Sequence, residues 1–180
     1  SMPIYFWGDP DKKRYISSYF DTWPGIWRHG DWLKITPRNT LIILGRSDAT
    51  LNRQGVRIGT AEIYRAIDQI TEIADSLIVN IERPDGSDWM PLFVMLQNGA
   101  ILDESLIKNI KTALKTQYSP RHVPDEIIAV PEIPLTISGK KMEAPVKKVL
   151  MKQPLEKAFN PDSMRNPRSM DFFIELAKTR

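Results

Sequence analysis

The chain has 180 residues, of which 42% are hydrophobic and 26% charged, a composition typical of a globular protein with a real core. The 25 basic and 22 acidic residues nearly cancel, so the net charge of +3 argues neither for nor against anionic partners. The absence of cysteine excludes a disulfide framework, a thiolate metal site and a thiol nucleophile, and the two histidines, His29 and His122, lie too far apart in sequence to suggest a metal site.

The first predicted element is a β-hairpin within an aromatic segment that runs to residue 46. Two apolar runs, "WLKI" (residues 32–35) and "TLIILG" (residues 40–45), flank "TPRN", whose proline and asparagine indicate a turn. A small segment this rich in aromatic residues normally packs on something larger. We therefore predict that residues 1–46 are the β-rich end of a preceding domain. Ser1 and Met2 resemble a cloning scar before a start codon, which also predicts an excised fragment.

A polar connector with three glycines, "GRSDATLNRQGVRIG", follows and predicts a second, tight hairpin. A helix is predicted from Thr60, whose hydroxyl we expect to cap it. The spacing of Ile63, Ile67 and Ile70 places these three side chains on one helical face.

Strands and helices continue through residues 47–150 and predict a compact α/β body. The patterned segments are "DSLIVNIE" (75–82, strand), "MPLFVMLQ" (90–97, strand), "DESLIKNIKTALKTQY" (103–118, helix), "DEIIAV" (125–130, strand) and "MEAPVKKVLM" (142–151, helix). This order predicts a small α/β (α+β) sandwich in which a three-stranded sheet is flanked by helices. Residues 151–180 read as a polar C-terminal extension with a late amphipathic piece, "SMDFFIELAK".

The stretch "PLTISGKKMEAPVKK", residues 134–148, raises the question whether Lys140 is a catalytic cation or an ordinary turn charge. It is not a phosphate-binding loop of the P-loop type. That motif needs a glycine where Pro134 stands and a serine or threonine where Lys141 stands. Any role of Lys140 in binding an anion therefore depends on its side chain and not on a backbone cradle.

Four short polar motifs occur in order along the chain, and each alone is a weak signal because turn residues often carry no function. Their key residues are Asp31 in "RHGD", Arg46 and Asp48 in "GRSD", Gly55 and Arg57 in "GVRIG", and Lys140 in "SGK". The ordered series resembles the C-terminal signature motifs of the adenylate-forming acyl-CoA synthetases, over about residues 19–150. Ala49 departs from the family's second hinge aspartate, and Val56 departs from its usual histidine.

The resemblance implies a small, mobile C-terminal domain that serves two half-reactions. The family joins a carboxylate to ATP to give an acyl-adenylate and pyrophosphate, then rotates this domain so that the coenzyme A thiol displaces AMP. By resemblance, Lys140 enters the site for adenylation, Asp31 accepts the ribose hydroxyls, and Arg46 holds the ribose and phosphate side. Arg57 contacts a phosphate in one of the two states.

The same resemblance assigns residues to the hinge and to coenzyme A. Asp48 matches the pivot of the rotation, and Gly55 matches the glycine beside the pantetheine tunnel, where a side chain would block the thiol. Lys115 falls where relatives place a basic residue for the nucleotide end of coenzyme A. Lys115 is also readable as an ordinary exposed helix lysine.

Overall sequence likeness to one branch of the family narrows the range of carboxylic acid substrates that we expect. "NPDSMRNPRSMDFF" and "ISGKKMEAPVKK" resemble the acetoacetyl-CoA synthetase branch, which implies acetoacetate, ATP and coenzyme A as substrates. The family's phosphate-gripping loop and its magnesium-binding stretch belong to a large N-terminal domain and are not in this sequence. We therefore expect Mg²⁺ only in the full-length enzyme, with no ligands here, and no ligase activity from this chain alone. Its partners would be its own N-terminal domain and a regulator that acylates Lys140.

Three other interpretations remain open on sequence alone. The chain could belong to an acetyl- or propionyl-CoA synthetase. It could be an aminoacyl-adenylating module, although no carrier-protein serine motif follows residue 150. It could also be a non-catalytic nucleotide-binding or nucleic-acid-binding module that uses the basic helix "KNIKTALKTQ", but its charge is modest and no aromatic residues alternate with the lysines. We predict no nucleic-acid partner, no membrane contact and a cytoplasmic location, since no long apolar run or signal peptide is visible.

Overall fold

A computed structural model describes residues 2–47, 51–53, 56–83 and 85–180, and for residues 44–46 it describes the backbone. The predicted hinge residue Asp48 and the predicted tunnel residue Gly55 lie outside the described residues, as does the side chain of Arg46. The chain divides into two compact units, Ser1–Asp31 and Trp32–Arg180.

The first unit contains a short helix, α1 (Lys13–Tyr19), which the sequence analysis did not predict. The carboxylate of Asp9 accepts a hydrogen bond from the backbone N–H of Tyr15 at 2.9 Å and so holds the first turn. Tyr15 and Tyr19 are four residues apart, and both rings contact Phe6 at centroid distances of 5.6 and 5.8 Å. The predicted β-rich segment, residues 1–46, therefore also contains a helix.

Two hairpins follow. The strands β1 (Asp31–Ile35) and β2 (Leu41–Arg46) form the predicted two-stranded sheet. The strands β3 (Leu51–Arg53) and β4 (Val56–Ile58) pair antiparallel and confirm the tight hairpin in the polar connector. Apolar side chains of the first hairpin are largely exposed, including Leu33 at 47% and Ile35 at 65%.

Helix α2 (Thr60–Ile67) begins where predicted, but Thr60 is not its cap. Gly59 occupies the N-cap position, and Thr60 is the buried first residue of the helix, so its hydroxyl is not available to cap the orphan N–H groups. The predicted apolar face is confirmed for Ile63 and Ile67, which are buried, whereas Ile70 is buried but lies beyond the end of the helix.

The central sheet has three strands in the order β5-β8-β9, antiparallel between the first two and parallel between the last two. The first predicted strand, residues 75–82, is interrupted after Ile78, and its end forms a separate small hairpin with a short strand that lies just before the second predicted strand, residues 90–97. The bounds are β5 (Ile73–Ile78), β6 (Ile81–Glu82), β7 (Asp88–Trp89), β8 (Pro91–Leu96) and β9 (Glu126–Ala129).

Four further helices complete the body and the extension: α3 (Glu104–Gln117), α4 (Glu143–Leu150), α5 (Leu155–Ala158) and α6 (Ser169–Thr179). Two 3₁₀ turns lie between them, at Pro120–His122 and Pro161–Ser163. None of the helices in the described ranges has the length and apolar character needed to cross a bilayer.

The sheet separates two apolar clusters, as the alternation of its central strand requires. Leu92 and Val94 on β8 pack with α2 and α3, whereas Phe93 faces α4 and α6. Phe93 meets Phe173 of α6 edge to face at 4.8 Å, and Phe173 is fully buried. Burying such a ring contributes about 1.5–3 kcal/mol, so the extension in 151–180 is part of the core and not a loose polar tail.

Candidate functional site

Lys140 lies on a tight loop that we call the Lys140 loop (residues 135–141). Leu135 and Lys141 pair at its base, and the backbone N–H of Thr136 donates to the carbonyl oxygen of Lys140 at 2.8 Å. Gly139 has φ +82°, a left-handed conformation that side chains disfavour, which explains a glycine next to the lysine. The sequence pattern of this turn therefore fixes the position of Lys140 within the loop.

The hydroxyl of Thr136 supports the same loop from inside. It accepts a hydrogen bond from the backbone N–H of Lys140 at 3.0 Å and shares another with the hydroxyl of Ser138 at 3.0 Å. The side chain of Lys140 is exposed, and no hydrogen bond or ion pair to its ammonium group occurs in the part of the chain that the structure describes. Its charge is available to an anion from elsewhere.

The neighbouring lysine has the opposite character. The Nζ of Lys141 lies 2.6 Å from the Oδ1 of Asp75, donates to the carbonyl oxygen of Ser76 at 2.7 Å, and sits 4.0 Å above the ring of Tyr64. These contacts tie the base of the loop to strand β5. Of the two adjacent lysines, Lys141 is an anchor and Lys140 is the one free to reach a substrate.

Tyr64 is itself a half-buried connection between α2, the sheet and α4. Its hydroxyl donates to the carboxylate of Glu143 at 3.0 Å and accepts from the backbone N–H of Ile78 at 3.3 Å. Burial raises the pKa of Tyr64 well above its usual range, with the charge of Glu143 adding to the effect. The phenol therefore stays neutral and keeps its donor hydrogen under ordinary conditions.

Asp31, the predicted ribose acceptor, begins β1. Its Oδ2 lies 2.7 Å from the Nδ1 of His29, and the Asp31 side chain is 20% exposed. The ring of His29 meets Trp27 edge to face at 5.1 Å. This contact of His29 was not predictable from the sequence, because nothing in a two-residue spacing distinguishes it from an ordinary turn.

Arg57 is exposed on β4, and its guanidinium carbon lies 4.9 Å from the ring centroid of Trp32. The hairpin that carries it is fixed to the sheet by Arg53. The guanidinium of Arg53 forms two hydrogen bonds with the carboxylate of Asp125 and a longer one, of 3.3 Å, with Asp88. The hydrogen bond from Arg53 lowers the pKa of Asp125, which also accepts from the backbone N–H of Met90 at 2.8 Å.

Lys115 lies in the last turn of α3 and is exposed. With Lys108 and Lys111 it lines one side of a shallow groove whose apolar wall includes Ile107 and Val123. The three lysines recur at helical spacing on one face, and Glu104 lines the same groove, so its rim carries three positive charges and one negative charge.

The second histidine also has a carboxylate partner. The Nε2 of His122 lies 3.0 Å from Glu62, its Nδ1 lies 2.9 Å from the hydroxyl of Ser119, and its ring stacks on Tyr118 at 5.1 Å. Ser119 already caps the 3₁₀ turn by accepting from Arg121, so this arrangement joins α2 to the end of α3. Within the described ranges, no group of three histidine or carboxylate side chains could hold a metal ion.

Three of the candidate site residues that the structure describes belong to different elements: Lys140 to a loop before α4, Arg57 to a short hairpin and Lys115 to the last turn of α3.

Known proteins resemble this chain along nearly its whole length. Acetoacetyl-coenzyme A synthetase of Rhizobium meliloti is 43% identical over 185 residues, which cover 100% of this chain and 27% of that protein. The solved acetoacetyl-CoA synthetase from Streptomyces lividans has 53% identity and a TM-score of 0.92 over 99% of this chain and 27% of that one. The chain belongs to the adenylate-forming acyl-CoA synthetase family.

Within this acyl-CoA synthetase family the chain is a homologue of the C-terminal part of acetoacetyl-CoA synthetases, and it spans about 27% of their length. ATP-bound MatB from Rhodopseudomonas palustris is 25% identical with a TM-score of 0.60, over 77% of this chain and 26% of that one. No protein-family model matches the chain. The family predicted from the four motifs and the α/β fold class are both confirmed.

Proposed function

We propose that this chain is the C-terminal part of an acetoacetate–CoA ligase, which converts acetoacetate, ATP and coenzyme A into acetoacetyl-CoA, AMP and pyrophosphate through an acyl-adenylate. The observation that carries the proposal is the whole-length likeness to acetoacetyl-CoA synthetases. It is supported by the Lys140 loop, which presents a cation that has no partner among the described residues, on a base that other residues hold in place.

Lys140 is the proposed catalytic residue of the adenylation half-reaction. Its ammonium would lie between the carboxylate oxygen of the acid and the α-phosphate, where it offsets the repulsion between two anions in the transition state. A lysine suits this role because it is a compact charge on a long stem, and the exposed loop leaves that stem free. Losing one such donor typically costs about 2.7–4 kcal/mol in the barrier.

Asp31 and Arg46 would bind the ribose and the phosphate side of ATP or AMP, and Asp48 would be the hinge. The contact with His29 supports the role of Asp31, because it orients the carboxylate while leaving part of it exposed. ATP as substrate is further supported by the ATP-bound MatB structure of the same fold.

Gly55, Arg57 and Lys115 would serve the thioester-forming state. Gly55 would leave room for pantetheine, Arg57 would contact a phosphate in one of the two states, and Lys115 would bind the nucleotide end of coenzyme A. The lysine-rimmed groove on α3 supports this last role, because coenzyme A carries phosphates at that end.

The proposed domain organisation assigns residues 1–46 to the end of a large N-terminal domain, 47–150 to the mobile lid and 151–180 to the extension. Large apolar side chains support a missing partner surface for the first part, since Trp7 is 91% exposed and Ile4 is 88% exposed. Mg²⁺ would be bound by that N-terminal domain, and the described residues of this chain offer no ligand cluster for it. A cytoplasmic location and acylation of Lys140 as an off-switch complete the proposal.

The test joins this chain to its natural N-terminal domain and separates the half-reactions. Lys140→Ala should abolish acetoacetate-dependent pyrophosphate release while retaining thioester formation from preformed acetoacetyl-adenylate. Lys157→Ala, which removes another exposed lysine from α5, should leave both unchanged. Full pyrophosphate release by Lys140→Ala would contradict the role of Lys140.

The same enzyme assayed with acetate, propionate and acetoacetate tests the substrate. A higher kcat/KM for acetate or propionate would favour the alternative short-chain synthetase. Nucleotide binding without turnover of any acid would favour a non-catalytic binding module.

A further inference from the structure

The extension runs along the outside of the Lys140 loop. The backbone N–H of Arg165 donates to the carbonyl oxygen of Leu135 at 2.9 Å, and the N–H of Ile137 donates to the carbonyl oxygen of Ser163 at 3.1 Å. Between these two bonds, Thr136 pairs antiparallel with Met164. Residues 163–165 thus pair with the Lys140 loop as a short strand would. Among the described residues, no other strand lies beside this loop.

Asn166 extends this pairing with its side chain. Its Oδ1 accepts from the backbone N–H of Leu135 at 3.0 Å, and its Nδ2 donates to the carbonyl oxygen of Ile133 at 2.9 Å and to the carboxylate of Glu132 at 3.1 Å. Pro134, between these residues, has no N–H and cannot continue a strand ladder. The amide side chain of Asn166 therefore provides hydrogen-bond partners for the backbone on both sides of Pro134.

Arg165 covers the glycine next to the catalytic candidate. Its guanidinium donates to the carbonyl oxygen of Ile137 at 3.3 Å, and a Cβ placed on Gly139 would lie 3.2 Å from the guanidinium nitrogen. The Arg165 side chain is exposed, so it reinforces the loop from the solvent side.

The segment that supports the loop, residues 163–166, which we call the brace, is itself fixed to the core. Met164 is 6% exposed, and Met170 and Phe173 of α6 are fully buried against the sheet and α4. The Lys140 loop is therefore held at two places. At its base, Lys141 contacts Asp75 of strand β5, and along its outer edge the loop pairs with the extension.

We propose that Asn166 and Arg165 are positioning residues for Lys140, an inference that rests on the proposed function. Lys140 has a long stem, and its ammonium has no hydrogen-bond or ion-pair partner among the described residues, so the place it reaches depends on the loop backbone. A displacement of about 1 Å at a reacting group can cost about 100-fold in rate. The extension thus contributes to adenylation without touching the substrate.

The test uses the full-length enzyme with Asn166→Ala and Arg165→Ala. For Asn166→Ala we expect kcat for adenylation to fall about 10- to 100-fold with an unchanged KM for ATP, because the loop and not the binding pocket is disturbed. Thioester formation from preformed adenylate should be unchanged. Arg165→Ala keeps the backbone pairing and should show the same pattern with a smaller loss. The matched control is Arg168→Ala, which removes an exposed arginine of the same extension for which the structure, in the residues it describes, has no hydrogen bond or ion pair with the loop.

A second readout is independent of activity. Amide hydrogen exchange of residues 136–141, followed by mass spectrometry, should be faster in Asn166→Ala and Arg165→Ala and unchanged in Arg168→Ala. Exchange in β8 should be unchanged in all three, which separates a loosened loop from a loosened domain.

The outcomes separate the inference from the function on which it rests. Unchanged loop exchange, unchanged adenylation, or equal losses in both half-reactions would overturn the positioning role. If Lys140→Ala abolishes adenylation and Asn166→Ala does not, only the positioning role is wrong. If Lys140→Ala retains adenylation, the proposed function of Lys140 is wrong, and the positioning role fails with it.

Discussion

The Nζ of Lys141 and the Oδ1 of Asp75 lie 2.6 Å apart, and both side chains are about three-quarters buried, at 23% and 25% exposure. The next residue back along the chain, Lys140, is exposed on the same loop. The two adjacent lysines therefore have different roles, since Lys141 holds the loop and Lys140 offers a positive charge. In a catalytic loop this division matters, because a mobile cation is useful only when its backbone attachment is fixed.

Replacing Lys141 with alanine should destabilise the chain by about 1–3 kcal/mol, because Asp75 and the carbonyl of Ser76 lose their donor in a partly buried place. Urea unfolding of the 180-residue chain measures this directly. Lys140→Ala is the matched control and should stay within about 0.5 kcal/mol of the parent. Equal losses for the two variants would contradict the division of roles.

Tyr64→Phe should also destabilise the chain by about 1–3 kcal/mol at neutral pH, since the N–H of Ile78 and the carboxylate of Glu143 each lose a hydrogen bond with the Tyr64 hydroxyl. The folded state raises the pKa of Tyr64. Above the unfolded value of about 10, the unfolded state therefore releases this proton first, and stability falls as pH rises toward the folded pKa.

The measurement is urea unfolding of parent and Tyr64→Phe between neutral and alkaline pH. The difference between the two proteins should shrink above about pH 10, because only the parent has this phenol to ionise on unfolding. A difference that stays constant with pH would mean that Tyr64 does not remain neutral in the folded chain.

The elements that could be predicted from the sequence are those whose contacting residues are close together along the chain. The face of α2 with Ile63 and Ile67 follows from helical spacing alone and is confirmed, and the buried residues Leu106, Ile110 and Leu114 of the predicted helix α3 have the same kind of spacing. The family and its four motifs are readable for a similar reason, because each motif is a short contiguous string.

Contacts between distant segments were not predictable in this way. Arg53 and Asp125 are 72 positions apart, and Asn166 and Leu135 are 31 apart. In the sequence, Arg53 and Asn166 stand in polar stretches and cannot be told from residues whose side chains are solvated. Only the fold reveals that these side chains hold the β3–β4 hairpin and the Lys140 loop. The extension looked polar for the same reason, since its buried residues are few and widely spaced.

Arg53→Ala should destabilise the chain by about 1–3 kcal/mol at neutral pH, because the carboxylate of Asp125 loses its bidentate donor. Arg53 holds the pKa of Asp125 below its usual value. This contribution is therefore present above the unfolded pKa of about 3.9 and is lost as pH falls through the lower folded pKa. Unfolding curves of parent and variant should converge in acid. Curves that remain parallel down to strongly acidic pH would contradict the assigned pair.

Gly139→Ala tests the packing of the extension on the Lys140 loop. Gly139 has φ +82°, so alanine there pays a backbone cost of about 1–2 kcal/mol, and its Cβ would also meet the guanidinium of Arg165 at 3.2 Å. Gly99→Ala is a matched control, because Gly99 has φ +85° and nothing within 4 Å of a Cβ. We expect both variants to lose stability in urea unfolding.

Only Gly139→Ala should also slow adenylation in the full-length enzyme, since only that glycine adjoins Lys140. Adding Arg165→Ala to Gly139→Ala removes the steric contact and leaves the backbone cost. The double variant should therefore lose less stability than the sum of the two single variants, and the difference measures the coupling between loop and extension. Strictly additive losses would show that Arg165 does not press on the glycine, and the brace would then consist of Asn166 and the backbone pairing alone.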